Sequence, residues 1–337
     1  MSRSWCWLVL LWLPLWVWGQ GNSFRVMTYN VENLFDTCHD YGCEDQEFLP
    51  DAARQWNSVR YWKKQGDLSR TLIAAGGVSP LELVALVEVE NDSVISHLLR
   101  RTRLYRLGYE YVMTTSRDSR GIDVALFYQP ERFRLLEKNM IHIPFDARRE
   151  KPTRDVLHVA GRLQCGDTLD VLVNHWPSRR GGSRAAEHYR YRAARRVRAF
   201  ADSLAQLRRC PKILLLGDFN DEYSDRSIAE GLGAVAPGRP GDYVVLSAGL
   251  KAPGGIQGTY KFRGEWNQLD QVIVHRCLLE ARTGLRTIAG GCRILAFPFL
   301  LEPDEARGGF LPRRTFLGPV YKGGVSDHLP LLLEMEW

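Results

Sequence analysis

The stretch PKILLLGDFNDEYSD, residues 211–225, drives an apolar run straight into Asp218, Asn220, Asp221 and Glu222. A β-strand rises about 3.3 Å per residue with side chains alternating between faces, so a strand here places Asp218 and Asn220 on one side. That spacing offers an acceptor and an amide to one substrate oxygen or one metal ion. A carboxylate at the end of a buried strand is costly unless it is paired or bound to a cation. Taken alone, Asp218 could equally be a turn residue ahead of a helix. Asp221 and Glu222 read as a helix start or a solvated pair.

The same ending recurs along the chain. MTYNVEN, LVEVEN, LVNHWPS, NQLDQ and VSDHLP each carry an apolar strand into a polar cluster. The segments between read as further strands and a few helices. SFRVMTYN (23–30) and LELVALVEVE (81–90) are strands, and NDSVISHLLRR is a helix capped by Asn91 or Asp92. DVLHVAGRL and DTLDVLVNHW form a hairpin turning at Cys165–Asp167. Residues 183–208 form a long helix, and the Gly- and Pro-rich stretches 231–258 and 298–324 are loops. No repeat and no composition break divides the chain, so packed sheets flanked by helices in a single domain are the economical architecture. Several carboxylates at strand mouths point to a cation and a polyanionic substrate.

The chain has 337 residues and 45% hydrophobic content, enough for a large core. Residues 1–20 stand apart. They hold one charge, Arg3, and five of the ten tryptophans. The apolar run is about the length of a signal-peptide core and short of the roughly 20 residues of a bilayer span. We read 1–20 as a secretory signal and 21–337 as one domain, secreted or periplasmic, with no stable membrane anchor after processing. Removing Arg3 takes the net charge from +6 to +5, which permits an anionic substrate without establishing one. The arginines at 179–209 fit a solvated helix face. Six cysteines follow the leader, and an even count in an exported chain allows disulfides, with Cys38–Cys43 the favoured pair. No pair of close CxxC motifs suggests zinc.

Seven motifs together resemble the endonuclease/exonuclease/phosphatase family, which is DNase I-like in fold. They are MTYNVENLFD (27–36), LVEVEN (86–91), RGIDVALFY (120–128), VNHWPSR (173–179), LLGDFND (215–221), QLDQVIV (268–274) and SDHLP (326–330). Their order agrees with the family, and VNHWPSRRGG resembles its exported bacterial members. The resemblance implies a four-layer α/β/β/α sandwich, two mixed β-sheets packed face to face with helices outside and the active cleft at the strand mouths.

The resemblance also implies roles. Glu88 and Asp327 match acidic metal-site residues, with Asn30 supporting the metal and phosphate; Mg²⁺ suits these oxygen donors, and Mn²⁺ is the alternative. His328 matches the catalytic histidine and Asp270 the carboxylate that orients it, a pairing that fixes the tautomer and raises basicity. Whether His328 activates water or contacts the phosphate is left open by the resemblance. His175 matches the second histidine, with Asp123 standing where relatives have a glutamate that braces it. Asp218 and Asn220 match the residues at the attacking water and the phosphoryl oxygens. Arg120, Arg179, Lys261 and Arg263 are candidates to grip further phosphates, and Trp176 could stack on a substrate or support His175. No GxSxG nucleophile motif occurs, so direct attack by water is expected. Export and modest positive charge favour an endonuclease acting on nucleic acid, with no obligate protein partner. A phosphatase or phospholipase C-type enzyme, acting on inositol phosphates or sphingomyelin, is the alternative, and an inactive binding module of the same fold a further one.

Overall fold

The computed structural model describes residues 23–145, 152–179 and 186–337; the expected signal segment lies outside them. The strands of the two main sheets are β1 (Ser23–Leu34), β2 (Leu83–Val89), β3 (Glu110–Met113), β4 (Asp123–Tyr128), β5 (Phe133–Ile141), β6 (Val156–Leu163), β7 (Thr168–His175), β8 (Lys212–Asp218), β9 (Ala234–Val235), β10 (Tyr243–Val245), β11 (Asp270–His275), β12 (Arg286–Ile294) and β13 (Leu331–Glu336). The principal helices are α1 (Ser58–Gly76), α2 (Asp92–Arg101) and α3 (Glu187–Leu207).

One sheet runs β12-β13-β1-β2-β4-β3 and the other β5-β6-β7-β8-β11-β10-β9. Both are mixed: β1 and β2 are parallel, as are β7 and β8, while most other neighbours are antiparallel. The sheets pack face to face, with β1 and β2 against β8 and β4 against β7. This is the DNase I-like α/β sandwich that the motifs imply.

Strand β8 shows why its sequence is apolar without alternation. Leu214 and Leu216 enter the core between the sheets, whereas Ile213 and Leu215 pack on the opposite face with Ala193, Ala194, Val197 and Ala201 of α3. A strand covered on both faces needs apolar side chains of both parities. Each fully buried Leu or Ile contributes about 1.5–3 kcal/mol. On the other side, Leu68 and Leu72 of α1 and Val94, Ile95 and Leu98 of α2 join the core of the first sheet. Asn57 caps α1 and Asn91 caps α2, each accepting the N–H three residues on.

The expected loops carry more structure than their Gly and Pro content implies. Residues 231–258 hold the short strands β9, at the edge of the second sheet, and β10 beside it, and residues 298–324 fold into two small hairpins. The expected Cys38–Cys43 bond is not formed: both are free thiols, and the Cys43 sulfur packs against Gly121. Among the described residues no helix is long and apolar enough to cross a membrane.

Just past β2, Glu90 is 4% exposed, and its Oε1 has no hydrogen-bond partner among the described residues. Burial pushes its pKa from 4.5 to about 9; the Asp36 N–H opposes the shift and the charges of Asp36, Asp40 and Asp45 add to it. The folded state therefore holds a proton that the unfolded chain releases. Stability from this group is fully present below pH 4.5 and is lost as pH rises toward about 9. Glu90→Gln removes the titration. The variant should gain on wild type by a few kcal/mol between pH 5 and pH 8 in urea unfolding. Parallel pH profiles for the two proteins would show that Glu90 does not titrate this way.

Candidate active site

Parity brings three strand ends onto one face. On β7, Leu169, Val171 and Val173 enter the inter-sheet core, so His175 continues that row. On β8, Leu214 and Leu216 lead to Asp218; on β11, Val274 and Val272 lead back to Asp270. Register aligns them, with His175 opposite Asp218 and Asp218 opposite Asp270. The other sheet supplies Asn30 and Glu88, whose strands pair Asn30 with Val87. His328 arrives on the loop before β13, in a bridge with Tyr260.

The side chains meet. His328 Nδ1 lies 2.7 Å from Asp270 Oδ2, and the same oxygen accepts from Thr259 Oγ1 at 2.5 Å. His328 Nε2 points to Asp218 Oδ2 at 4.0 Å. Across the cleft, His175 Nε2 is 3.9 Å from Asp218 Oδ2 and 3.6 Å from Glu88 Oε1. Asn30 Nδ2 donates to Asp218 Oδ2 at 3.0 Å, so the two sheets are joined at the Asp218 carboxylate itself. Asn30 Oδ1 is fixed by the Glu32 N–H, and Glu88 Oε2 by the Asn33 N–H. Backbone strain gathers here too. Glu88 has φ +66° and Asn220 φ +52°, a region that side chains other than Gly rarely adopt.

Asn220 reaches the site by a different route from simple alternation. The strand ends at Asp218, and the Asn220 N–H then bonds Asp218 Oδ1 at 2.8 Å. This tight turn, rather than extended geometry, sets the two side chains together. Asn220 Nδ2 donates to the Trp176 carbonyl at 3.1 Å and keeps a second N–H.

Charge is distributed unevenly. Burial pushes Asp218 up to about 7; the His328 charge opposes this and the Asp270 charge adds to it. For His328, burial acts downward but Asp270, through charge and hydrogen bond, and Asp218 hold its pKa well above the usual histidine range. His175 is driven the other way by burial and by Arg154, Arg120 and His328. It is the neutral imidazole of the pair. Its buried Nδ1 has no partner among the described residues. A proton there would be an unpaired buried donor, so the favourable tautomer carries it on Nε2, facing the carboxylates. Burial works to raise the Glu88 pKa, but Arg120, His328, Arg154 and the Asn33 N–H together hold it below the usual range.

Glu88 suits a hard cation. Its Oε1 faces His175 Nε2 at 3.6 Å, beyond hydrogen-bond length, and its carboxyl is held below the usual pKa range despite burial. Magnesium commonly takes one or two carboxylates and fills its shell with water and phosphate oxygens, which this donor set matches. Asp327 differs from expectation: its carboxylate pairs with Arg314 at 3.1 Å. Among the described residues no three His, Cys, Asp or Glu side chains converge as a ready-made metal cage.

Further expectations are corrected. Asp123 does not brace His175; its Oδ1 accepts from Thr114 Oγ1 at 2.6 Å and from the Ser116 N–H and hydroxyl. The shorter aspartate is consumed by its own strand neighbours. Trp176 is buried, donates Nε1–H to Asn174 Oδ1 and packs edge-on to Phe219, so it supports the wall and cannot stack on substrate. Arg179 is spent on the Asn220 carbonyl, Asp221 and Asp225. Lys261 is held by Asp304 and the carbonyls of Gly308 and Phe310. Arg263 stands at the tip of a hairpin with its guanidinium over Phe262, contacts that do not contradict the expected phosphate role. Asp221 is likewise no solvated residue: it is buried and bonded by Arg190 and Ser227. Arg120 remains at the cleft, 3.7 Å from Asp118, with its charge acting on Glu88 and His175.

Arg154 is the residue that sequence reading missed. It is buried beside the site, donating to Asp118 at 3.1 Å and to the Trp176 carbonyl at 2.8 Å. A lone arginine ahead of an apolar strand gave the only signal. With Arg120, Asp118, Pro177 and Ser178 it lines a cavity of about 370 Å³.

Comparison with solved structures finds the same fold at low identity. A humanized D. rerio TDP2 carrying 14 mutations superposes with TM-score 0.59 at 14% identity, over 94% of this chain and 100% of that one. A Bacteroides thetaiotaomicron endonuclease/exonuclease/phosphatase family protein gives 0.58 at 15%, over 94% and 98%. The human Nocturnin catalytic domain with bound sulfate gives 0.54 at 18%, over 94% and 95%. No curated protein matches the chain in sequence. The family model described as Endonuclease/Exonuclease/phosphatase family matches residues 25–337, a membership that supports phosphoesterase or nuclease-type activity in general. The chain belongs to the endonuclease/exonuclease/phosphatase family.

Proposed function

We propose that the protein is a divalent-metal-dependent phosphodiesterase, foremost an exported endonuclease that hydrolyses nucleic-acid phosphodiesters by direct attack of water. The observation that carries this reading is the meeting of Asp218 with both histidines and Asn30 at the junction of the two sheets. Asp218 takes a proton from the attacking water; burial gives it the basicity to do so near neutrality. His328 stays charged through Asp270 and donates Nε2–H to a phosphoryl oxygen as negative charge grows there. His175, neutral, presents its own Nε2–H from the other wall. Asn220 adds an amide donor, Arg120 holds the substrate's charge from the cavity side, and the buried Arg154, committed to Asp118 and the Trp176 carbonyl, adds positive potential there. Magnesium, or manganese, would be held by Glu88 with Asn30 beside it and Asp327 adding charge, and when bound supplies Lewis-acid neutralisation of the phosphoryl oxygens. Export rests on the tryptophan-rich opening segment.

The test is hydrolysis of bis-p-nitrophenyl phosphate and of its monoester, then of plasmid DNA, RNA, sphingomyelin and inositol phosphates. Diester cleavage should require Mg²⁺ or Mn²⁺, vanish on EDTA treatment and return with excess metal. A second reading, phosphomonoester hydrolysis, is favoured by the shared fold of a Bacteroides thetaiotaomicron mannosyl-6-phosphatase, TM-score 0.58. Preference for the monoester would select it. Cleavage of nothing by folded, metal-loaded protein would leave the binding-module reading.

A further inference from the structure

Two cysteines meet at the far end of the strands that carry the site. Cys210 lies just before β8 and Cys277 just after β11. The antiparallel register of these strands runs from Asp270 opposite Asp218 to Val274 opposite Leu214. Past His275 the chain leaves the strand, and Cys277 opens a short helix, Cys277–Glu280, on the side of β8. Cys210 is also near enough for its thiol to bear on that of Cys277. That helix packs on β8, with Lys212 Nζ at 3.5 Å from the Cys277 carbonyl and Cys210 two residues before Lys212. Both are free thiols in the structure; Cys210 is exposed and Cys277 half-buried, so an oxidant reaches Cys210 first.

We propose that Cys210 and Cys277 form a disulfide in an oxidising environment, stapling the bases of β8 and β11. The oxidant is a disulfide of the glutathione class. The Cys210 thiolate attacks it, forming a mixed disulfide and releasing one glutathione thiolate; the Cys277 thiolate then attacks the Cys210 sulfur and displaces the second. Two cysteine thiols and one oxidised glutathione become one protein disulfide and two reduced glutathiones, with the two cysteine protons passing to the released thiolates. The half-buried Cys277 thiol titrates above its ordinary range, first through burial and then through Cys210, so the second step quickens as pH rises. The loop closed by the bond contains Asp218, Asn220 and Asp270. It therefore restrains the chain segment that supplies three site residues, from the end opposite the chemistry.

The experiment uses full-length protein equilibrated with oxidised glutathione, blocked with iodoacetamide under native and then denaturing conditions, and mapped without reduction. A linked peptide pair spanning residues 210 and 277, about 2 Da lighter than the sum of its thiol forms, is expected. The oxidised protein should melt on the order of 5 °C above the reduced protein. Cys210→Ser and Cys277→Ser should each abolish the linked pair and the shift, while turnover at ambient temperature stays at the reduced wild-type level. Recovery of both residues alkylated after oxidation, Cys210 retained as a stable glutathione adduct, or either residue bonded to another cysteine would overturn the proposal.

Discussion

A His328→Asn variant is expected to lose about 10³-fold in kcat on a diester substrate while keeping an unfolding midpoint within a few degrees of wild type. The asparagine amide reaches the position of Nδ1, so it can still donate to Asp270 Oδ2, which the histidine meets at 2.7 Å. It has nothing in place of Nε2, the atom aimed at Asp218. Chemistry is therefore removed and the buried carboxylate stays paired. His328→Ala is the instructive contrast. It strips Asp270 of its imidazolium and leaves a buried charge with Thr259 as its remaining side-chain donor. Such an uncompensated charge costs about 3–5 kcal/mol. The alanine protein should thus lose activity and stability together, the asparagine protein activity alone. Wild-type turnover in His328→Asn would remove His328 from the reaction. An equal loss of stability in both variants would show that the Asp270 pairing is not what holds this corner.

How much of this was legible in the sequence depends on the kind of contact. The face shared by His175, Asp218 and Asp270 follows from strand parity, because apolar partners two and four residues away fix which side each polar group takes. The fold follows from the same strands and from motif order. Long side chains were not legible. Arg179 and Lys261 read as free cations, but each has acceptors brought to it by the tertiary fold, Asp225 in one case and Asp304 in the other. Asp123 sits at the expected strand start, yet Thr114 and Ser116 on the adjoining segment capture it. Arg154 was hidden for the opposite reason. Its partners Asp118 and the Trp176 carbonyl come from separate segments, and a lone arginine ahead of an apolar strand does not reveal them. Parity holds within a strand but not past its end, where a turn and not alternation brings Asn220 to Asp218, and the partner of a flexible charged group is settled only when distant segments meet.

Gly217 in LLGDFN carries the second large effect. Its φ is +126°, and a Cβ built on it would lie 2.0 Å from the Asn174 carbonyl oxygen and 2.9 Å from the Asn174 backbone nitrogen. The obstacle is the neighbouring strand's main chain, which cannot rotate away. Asn174 is itself tied on both sides, donating to the Leu172 carbonyl and accepting from Trp176 Nε1. Gly217→Ala must therefore push β7 from β8 at the pair Asn174–Gly217, one step before His175–Asp218. We expect a loss of about 4 kcal/mol or more, at the upper end for single substitutions. The folded fraction should also show kcat reduced by about 10²-fold, since a shift near 1 Å misplaces both groups. Gly166→Ala separates the backbone angle from the collision. Gly166 has φ +91° but open space around it, so it should cost only about 1–2 kcal/mol and leave turnover unchanged. A Gly217→Ala protein that melts and turns over like Gly166→Ala would mean that close strand approach does not set the His175–Asp218 geometry.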